Sequence, residues 1–210
     1  MYKRQVEMMY DDVADILSQL VRTALIPPKN MKYAVADFSA IEARVISWLA
    51  DEKWRLDVFH GDGKIYEATG EKMFGVPKSE IKKGSVLRDK SKISELALGY
   101  EGGLGALKRM GGDKMGLSDT EMMSLVRKWR MANPNIVDMW KEIDEASKEA
   151  VRYHRAVKCT SKNVIFDCDG EFMTIELPVG RKLFYYKPEF KDKKMGRSTV
   201  PILSLIHISE

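Results

Sequence analysis

Residues 33–50 read YAVADFSAIEARVISWLA. The first part alternates small and apolar residues around a β-branched centre, the pattern of a short buried strand ending at Asp37. Ser39-Ala40-Ile41-Glu42 has the spacing of a capping box, and Val45, Ile46, Trp48 and Leu49 carry the apolar run of the helix that follows. Asp37 is therefore expected at a strand end, where the chain turns into a helix. Hard divalent cations favour carboxylate and backbone carbonyl oxygens held on such rigid elements. From spacing alone, a metal-binding Asp37 with a second acid one turn on competes with a plainer reading: a solvated aspartate and a capping Glu42.

Outside this stretch, composition sets bounds. The 210 residues suffice for one large domain or two small ones. With 35 Lys and Arg against 31 Asp and Glu, the net charge of +4 permits a polyanionic partner without demanding one. No apolar run approaches the roughly 20 residues a membrane span needs, so no membrane partner is expected. The N-terminal MYKRQVEMMYDD has no signal-peptide apolar core. Cys159 and Cys168 have neither zinc-type spacing nor a CxxC pattern, so a reduced, cytoplasmic setting is the simplest expectation.

The periodicity predicts an α+β fold. Residues 5–25 have helical spacing, stopped by Pro27-Pro28. Further helices are expected over residues 54–60 and 65–74, from a Ser85 cap to Leu98, from a capping box at Ser118 to Glu121, and after Asn133-Pro134. Trp48, Trp129 and Trp140 lie on apolar helical faces and are expected in the core. After about Ala156 the period changes to that of strands, over residues 163–168, 171–177 and 182–186, with Asp169-Gly170 a hairpin signal. The resulting segments are an N-terminal helical segment (1–30), the Asp37 region (31–60), a helical body (61–155), a β-meander (156–200) and a tail (201–210). The tail, PILSLIHISE, fits poorly. It reads either as an edge strand or as a foreign or disordered end, like the peptide from a translated sequencing adapter.

On the helix from Ser85, Arg88, Lys92, Leu96 and Tyr100 are spaced by four. Each step of four drifts only about 40° around a helix, so these residues share one face. Two cations, an apolar side chain and an aromatic ring could receive a nucleotide, with phosphates on the cations and the ring near a base. The plainer alternative is a solvated charged face that also carries Asp89, Lys90 and Glu95.

Taken together, DFSAIEARVISWLA and RDKSKISELALGYEGG resemble the polymerase A family, that of bacterial DNA polymerase I, and more closely its phage and prophage members. Residues 37–44 are similar to that family's motif A. Arg88, Lys92 and Tyr100 match its motif B in order and spacing. WRMANPNIVDMW and LPVGRKLFYY resemble further phage-type segments. The resemblance implies part of a right-hand palm carrying a mainly helical fingers subdomain, in an enzyme that synthesises DNA on a primer–template from dNTPs. It implies that Asp37, with the Phe38 carbonyl, binds two catalytic Mg2+ ions. Arg88 and Lys92 would hold the triphosphate, with Lys92 a proton donor to the leaving pyrophosphate. Tyr100 would stack near the templating position, and Glu42 would exclude a 2′-hydroxyl. Tyr66 would occupy the place where many members have a phosphate-binding histidine.

Three departures from the family pattern carry expectations of their own. Glu101 follows Tyr100, where the family has glycine, so an acid there either repels template phosphate or faces solvent. Leu96 stands where bacterial members often place an aromatic beside the sugar. The His-Asp-Glu sequence of motif C, which supplies the second metal carboxylate from the C-terminal palm, does not occur, and His207 is followed by Ile and Ser. A two-metal site with one carboxylate misplaces the reacting oxygen, and about 1 Å of misplacement costs roughly 100-fold. The chain alone is therefore expected to be a fragment with little or no polymerase activity. The alternatives are a non-catalytic nucleic-acid or nucleotide-binding module, and a single-subunit RNA polymerase, against which Glu42 argues.

Overall fold

The computed structural model describes Met9 and residues 13–159, 163–195 and 198–207. The chain divides into two compact units, residues 1–39 and 40–210. In the first, helix α1 (Val13–Val21) is followed by a 3-10 turn, Arg22–Ala24. Residues 5–8 and 10–12 of the helix expected over 5–25 lie outside the described residues.

The strand expected to end at Asp37 is not formed: residues 31–38 have no regular secondary structure. A strand is held by ladder hydrogen bonds to a neighbour. Among the described residues, every strand belongs to a single sheet that begins at Val157. Val35 is 90% exposed, so this segment also lacks the buried face that fixes a register.

The second unit begins with α2 (Ile41–Ala50), α3 (Lys53–His60) and α4 (Ile65–Phe74). The capping box expected from Ser39 to Glu42 is also corrected. Ala40 takes the N-cap in the left-handed conformation, φ +51°, and no side chain caps the helix. Where a serine does occupy the N-cap, local sequence decides the start. Ser85 accepts from the Arg88 backbone N–H to open α5 (Val86–Leu98), and Ser118 and Glu121 form a complete capping box at α7 (Asp119–Ala132). Between them lies the short α6 (Leu104–Arg109). Asn133 and Pro134 then separate α7 from the 20-residue α8 (Pro134–Tyr153), with proline in the first turn, where no N–H is missed.

The helices are followed by an antiparallel sheet in sequence order: β1 (Val157–Lys158), β2 (Ile165–Cys168), β3 (Phe172–Glu176), β4 (Lys182–Met195) and β5 (Ser198–His207). Asp169-Gly170 makes the β2–β3 turn. Gly170 has φ +98°, and the Asp169 carboxylate accepts the N–H groups of Glu171 and Phe172. Strand β4 runs well past the expected Tyr186, because β5 pairs with it up to Met195. Residues 201–207 thus form part of an edge strand.

Among the described residues, two apolar cores result. Leu98, Leu107, Met122, Trp129 and Ile136 join the helices; Ala150, Cys159, Phe166 and Met173 join α8 to the sheet. Trp129 is fully buried and stacks on Trp140 with ring centroids 5.9 Å apart. Trp48, expected inside, is instead 47% exposed. The combined architecture is mixed helix and sheet, an α+β arrangement.

Candidate functional site

A cavity of about 580 Å³ opens beside α2 and α5. Its walls include Glu42 from the first turn of α2, Tyr66 from α4, Leu96 from the last turn of α5 and Tyr100 from the turn just after it. Four of the residues singled out in the sequence thus meet at one hollow. On α2, Ile41 and Val45, still 40% and 45% exposed, line this cavity, while Ile46 and Leu49 line it and also pack against the helical core. Met139 and Trp140 of α8 complete the apolar side. The composition, largely apolar walls with a few polar groups, suits an organic ligand with a charged end.

Arg88, two turns before Leu96, is held from below. Its guanidinium lies 5.5 Å from the centre of the Tyr66 ring, and its Nε donates to Glu67 Oε1 at 2.7 Å. Burial raises the pKa of the Tyr66 hydroxyl, the negative charge of Glu95 adds to this, and Arg88 opposes it. Lys92 is exposed on the outer side of α5. Asp37 and Phe38 belong to the first unit, where both are exposed and outside regular secondary structure.

Adjacent carboxylate and carbonyl oxygens at Asp37 and Phe38 are the hard donors that Mg2+ prefers. Among the described residues, however, no group of three or more His, Cys, Asp or Glu side chains is assembled to hold a metal.

The inner wall of the cavity includes Arg55 and Glu95, the centre of a buried polar cluster that periodicity did not announce. Arg55 and Glu95 form a two-pronged ion pair, Nη1 to Oε1 at 2.8 Å and Nη2 to Oε2 at 2.5 Å, with 1% and 2% of their side chains exposed. Glu95 Oε1 also accepts from Thr69 Oγ1 and Trp129 Nε1. Arg55 donates through Nε to Ser47 and through Nη1 to Asn133. Glu95 is therefore not part of a solvated face, as its charged neighbours suggested. One signal could have placed it inside: Ser91, Glu95 and Leu98 fall on the inward stripe of α5, and all three are buried. Glu67, the partner of Arg88, carries no such signal.

After Tyr100 the backbone turns sharply. Glu101 is exposed and adopts φ +58°, the left-handed region that glycine takes without strain. Arg130 Nη2 reaches the carbonyls of Glu101 and Gly102 at 3.5 and 3.3 Å.

Over nearly its whole length the chain is related to DNA polymerases. It is 47% identical to the DNA polymerase of Bacillus phage SP02 over 196 residues, 93% of this chain and 30% of that protein. It is also 36% identical to DNA polymerase I of Pseudomonas aeruginosa over 61 residues, 29% of this chain and 7% of that protein. The chain thus spans less than a third of the length of either relative. No protein-family model matches the chain. The likeness to phage DNA polymerases expected from the two motifs is borne out. Among the described residues, no helix is long and apolar enough to cross a membrane.

Proposed function

We propose that this chain is the nucleotide-binding part of a phage-type family A DNA polymerase, combining part of the palm with the fingers, and that the intact enzyme transfers nucleotidyl groups from dNTPs to a primer. The observation that carries this reading is the meeting of Glu42, Tyr66, Leu96 and Tyr100 at one cavity, with Arg88 poised on Tyr66. The arrangement suits a nucleotide whose sugar lies against Glu42 and Leu96. Its triphosphate would extend along α5 toward Arg88 and Lys92.

Each residue then has a definite task. Arg88 and Lys92 neutralise the phosphates; Arg88 is already oriented by Glu67, so little ordering is left for binding to cost. Lys92, exposed and carrying a mobile ammonium, is suited to giving a proton to the departing pyrophosphate. Glu42 closes the wall beside C2′, where an added hydroxyl would clash or be left without a partner. Tyr100, 73% exposed at the cavity mouth, offers a ring on which a templating base can stack. Asp37 and the Phe38 carbonyl would hold Mg2+, which when bound stabilises the charge on the attacking 3′-oxygen and the leaving pyrophosphate.

Two measurements test this reading. Binding of dATP to this chain should be lost on Arg88→Ala and Lys92→Ala; unchanged binding would remove the nucleotide site. The intact parent enzyme should extend a primer with dNTPs and discriminate against rNTPs through Glu42, whereas the 210-residue chain alone, which has no His-Asp-Glu sequence, should not extend it. Primer–template binding without any nucleotide binding would favour a non-catalytic module.

A further inference from the structure

We infer that the buried Arg55–Glu95 pair is a positioning device that fixes the rotation of α5, and so the direction in which Arg88 and Lys92 face. This inference rests on the nucleotide-site reading proposed above.

At about 100° per residue, Glu95 lies about 60° around α5 from Lys92 and about 100° from Leu96. A constraint on Glu95, which itself lies in the cavity wall, therefore sets the azimuth of the whole ligand-facing stripe. That constraint has direction: a carboxylate held by a guanidinium fork is fixed in plane as well as in distance. Both Glu95 oxygens are engaged, at 2.8 and 2.5 Å, and Thr69 and Trp129 add donors from two further helices. Arg55 is fixed in turn by Ser47 of α2 and by Asn133, the N-cap of α8. Since α2 also carries Glu42, the cluster ties the helix bearing the sugar-facing acid to the helix bearing the phosphate-facing cations.

An apolar contact in the same place would hold α5 against its neighbours but would let it roll. The hydrophobic driving force is non-directional, whereas a guanidinium–carboxylate fork has a preferred plane. The pair is also costly to bury, so bulk stability alone is a poor reason for it.

The test uses two variants of this chain. Arg55→Lys keeps the charge that neutralises Glu95 but loses the fork and the links to Ser47 and Asn133. The double variant R55M/E95M replaces both charges with flexible apolar side chains of similar length. Three quantities are read: the melting midpoint, the dissociation constant for dATP with Mg2+ by calorimetry, and the distance between nitroxide labels on D57C and V86C. Both label positions are exposed, on α3 and α5, and the two native cysteines are buried.

The expected result is a cooperatively melting protein that binds dATP about 10- to 100-fold more weakly, with a broadened label distance. An unchanged label distance would overturn the inference whatever the change in affinity, since Arg55 and Glu95 line the cavity and their loss can weaken binding directly. Should the double variant fail to melt cooperatively, Arg55→Lys decides alone. If the unmodified chain binds no dATP, the nucleotide reading itself fails. The label distances then decide the positioning claim separately: broadening supports it and no change refutes it.

Discussion

Arg88 donates its Nε to Glu67 at 2.7 Å, and only 19% and 15% of the two side chains remain exposed. A half-hidden pair of this kind has two functions that mutation can separate. Arg88→Ala should destabilise the chain by about 1–3 kcal/mol, because it strands the Glu67 carboxylate. Lys92→Ala, at an exposed position, should change stability by less than about 0.5 kcal/mol. Both should weaken dATP binding. Urea titration beside calorimetry would distinguish them; equal stability losses would contradict the picture.

The turn after Tyr100 depends on one glycine and not on its neighbour. A Cβ on Gly102 would stand 2.0 Å from the Ala97 carbonyl oxygen and 2.8 Å from the Ala106 Cβ, whereas one on Gly103 meets nothing within 4 Å. Gly102→Ala should therefore cost about 3 kcal/mol or more by forcing backbone to move, and Gly103→Ala about 1 kcal/mol or less. Thermal melts of the two variants provide the check, and a tolerated Gly102→Ala would refute the close approach.

Glu101 illustrates the opposite case. A left-handed conformation costs a non-glycine residue about 1–2 kcal/mol, while glycine loses about 0.4–1 kcal/mol more in chain entropy on folding. Glu101→Gly should thus stabilise the chain by about 0.5–1 kcal/mol. A lowered melting midpoint would show that the glutamate makes a contact outweighing its backbone strain.

Glu52 should shape the dependence of stability on pH. It is buried and accepts the backbone N–H groups of Asn135 and Ile136 at the start of α8. Burial raises its pKa above the ordinary 4.5, with the two N–H groups opposing. A carboxyl raised on folding binds its proton more tightly in the folded state. Its contribution is therefore full below the unfolded value and is lost as pH rises through the folded one. Glu52→Gln, which does not titrate, should gain stability relative to the parent as pH rises from 4.5 upward. Urea midpoints at acid and neutral pH would show it; a relative loss on raising the pH would reverse the assignment.

Cys159 is buried in the sheet core, and burial pushes its thiol up to about 11, with the charge of Glu142 adding to the effect. At pH 8 only about one thiol in a thousand would be ionised. The folded chain should react with iodoacetamide at this position only as fast as it unfolds. Rapid modification under native conditions, located by mass spectrometry, would contradict the burial.

How much of this was legible in the sequence followed the range of the interaction. The caps at Ser85 and Ser118 and the Asp169-Gly170 turn are decided within four residues, and sequence reasoning placed them correctly. The strand at residues 33–37 was not legible, because a strand depends on a partner that its own sequence does not name. Trp48 was placed inside by counting apolar positions around α2. Trp48 is 47% exposed and is not among the residues lining the cavity: apolar spacing marks which positions share a face, not how deeply each is buried. Arg55 and Glu95 meet across 40 residues of chain, so nothing local marks either as buried except the inward stripe of α5.

Helix α8 has one further consequence. Its first residues pack in the helical core and accept support from Arg55 through Asn133, while its last turns pack beneath the sheet. Twenty residues of unbroken helix make a strut about 30 Å long. A tilt of about 5° at the Asn133 end would swing the other by about 2.6 Å, close to half the spacing between neighbouring strands. An adjustment around Arg55 that tilted this helix would therefore be felt at the sheet on the scale of half a strand spacing.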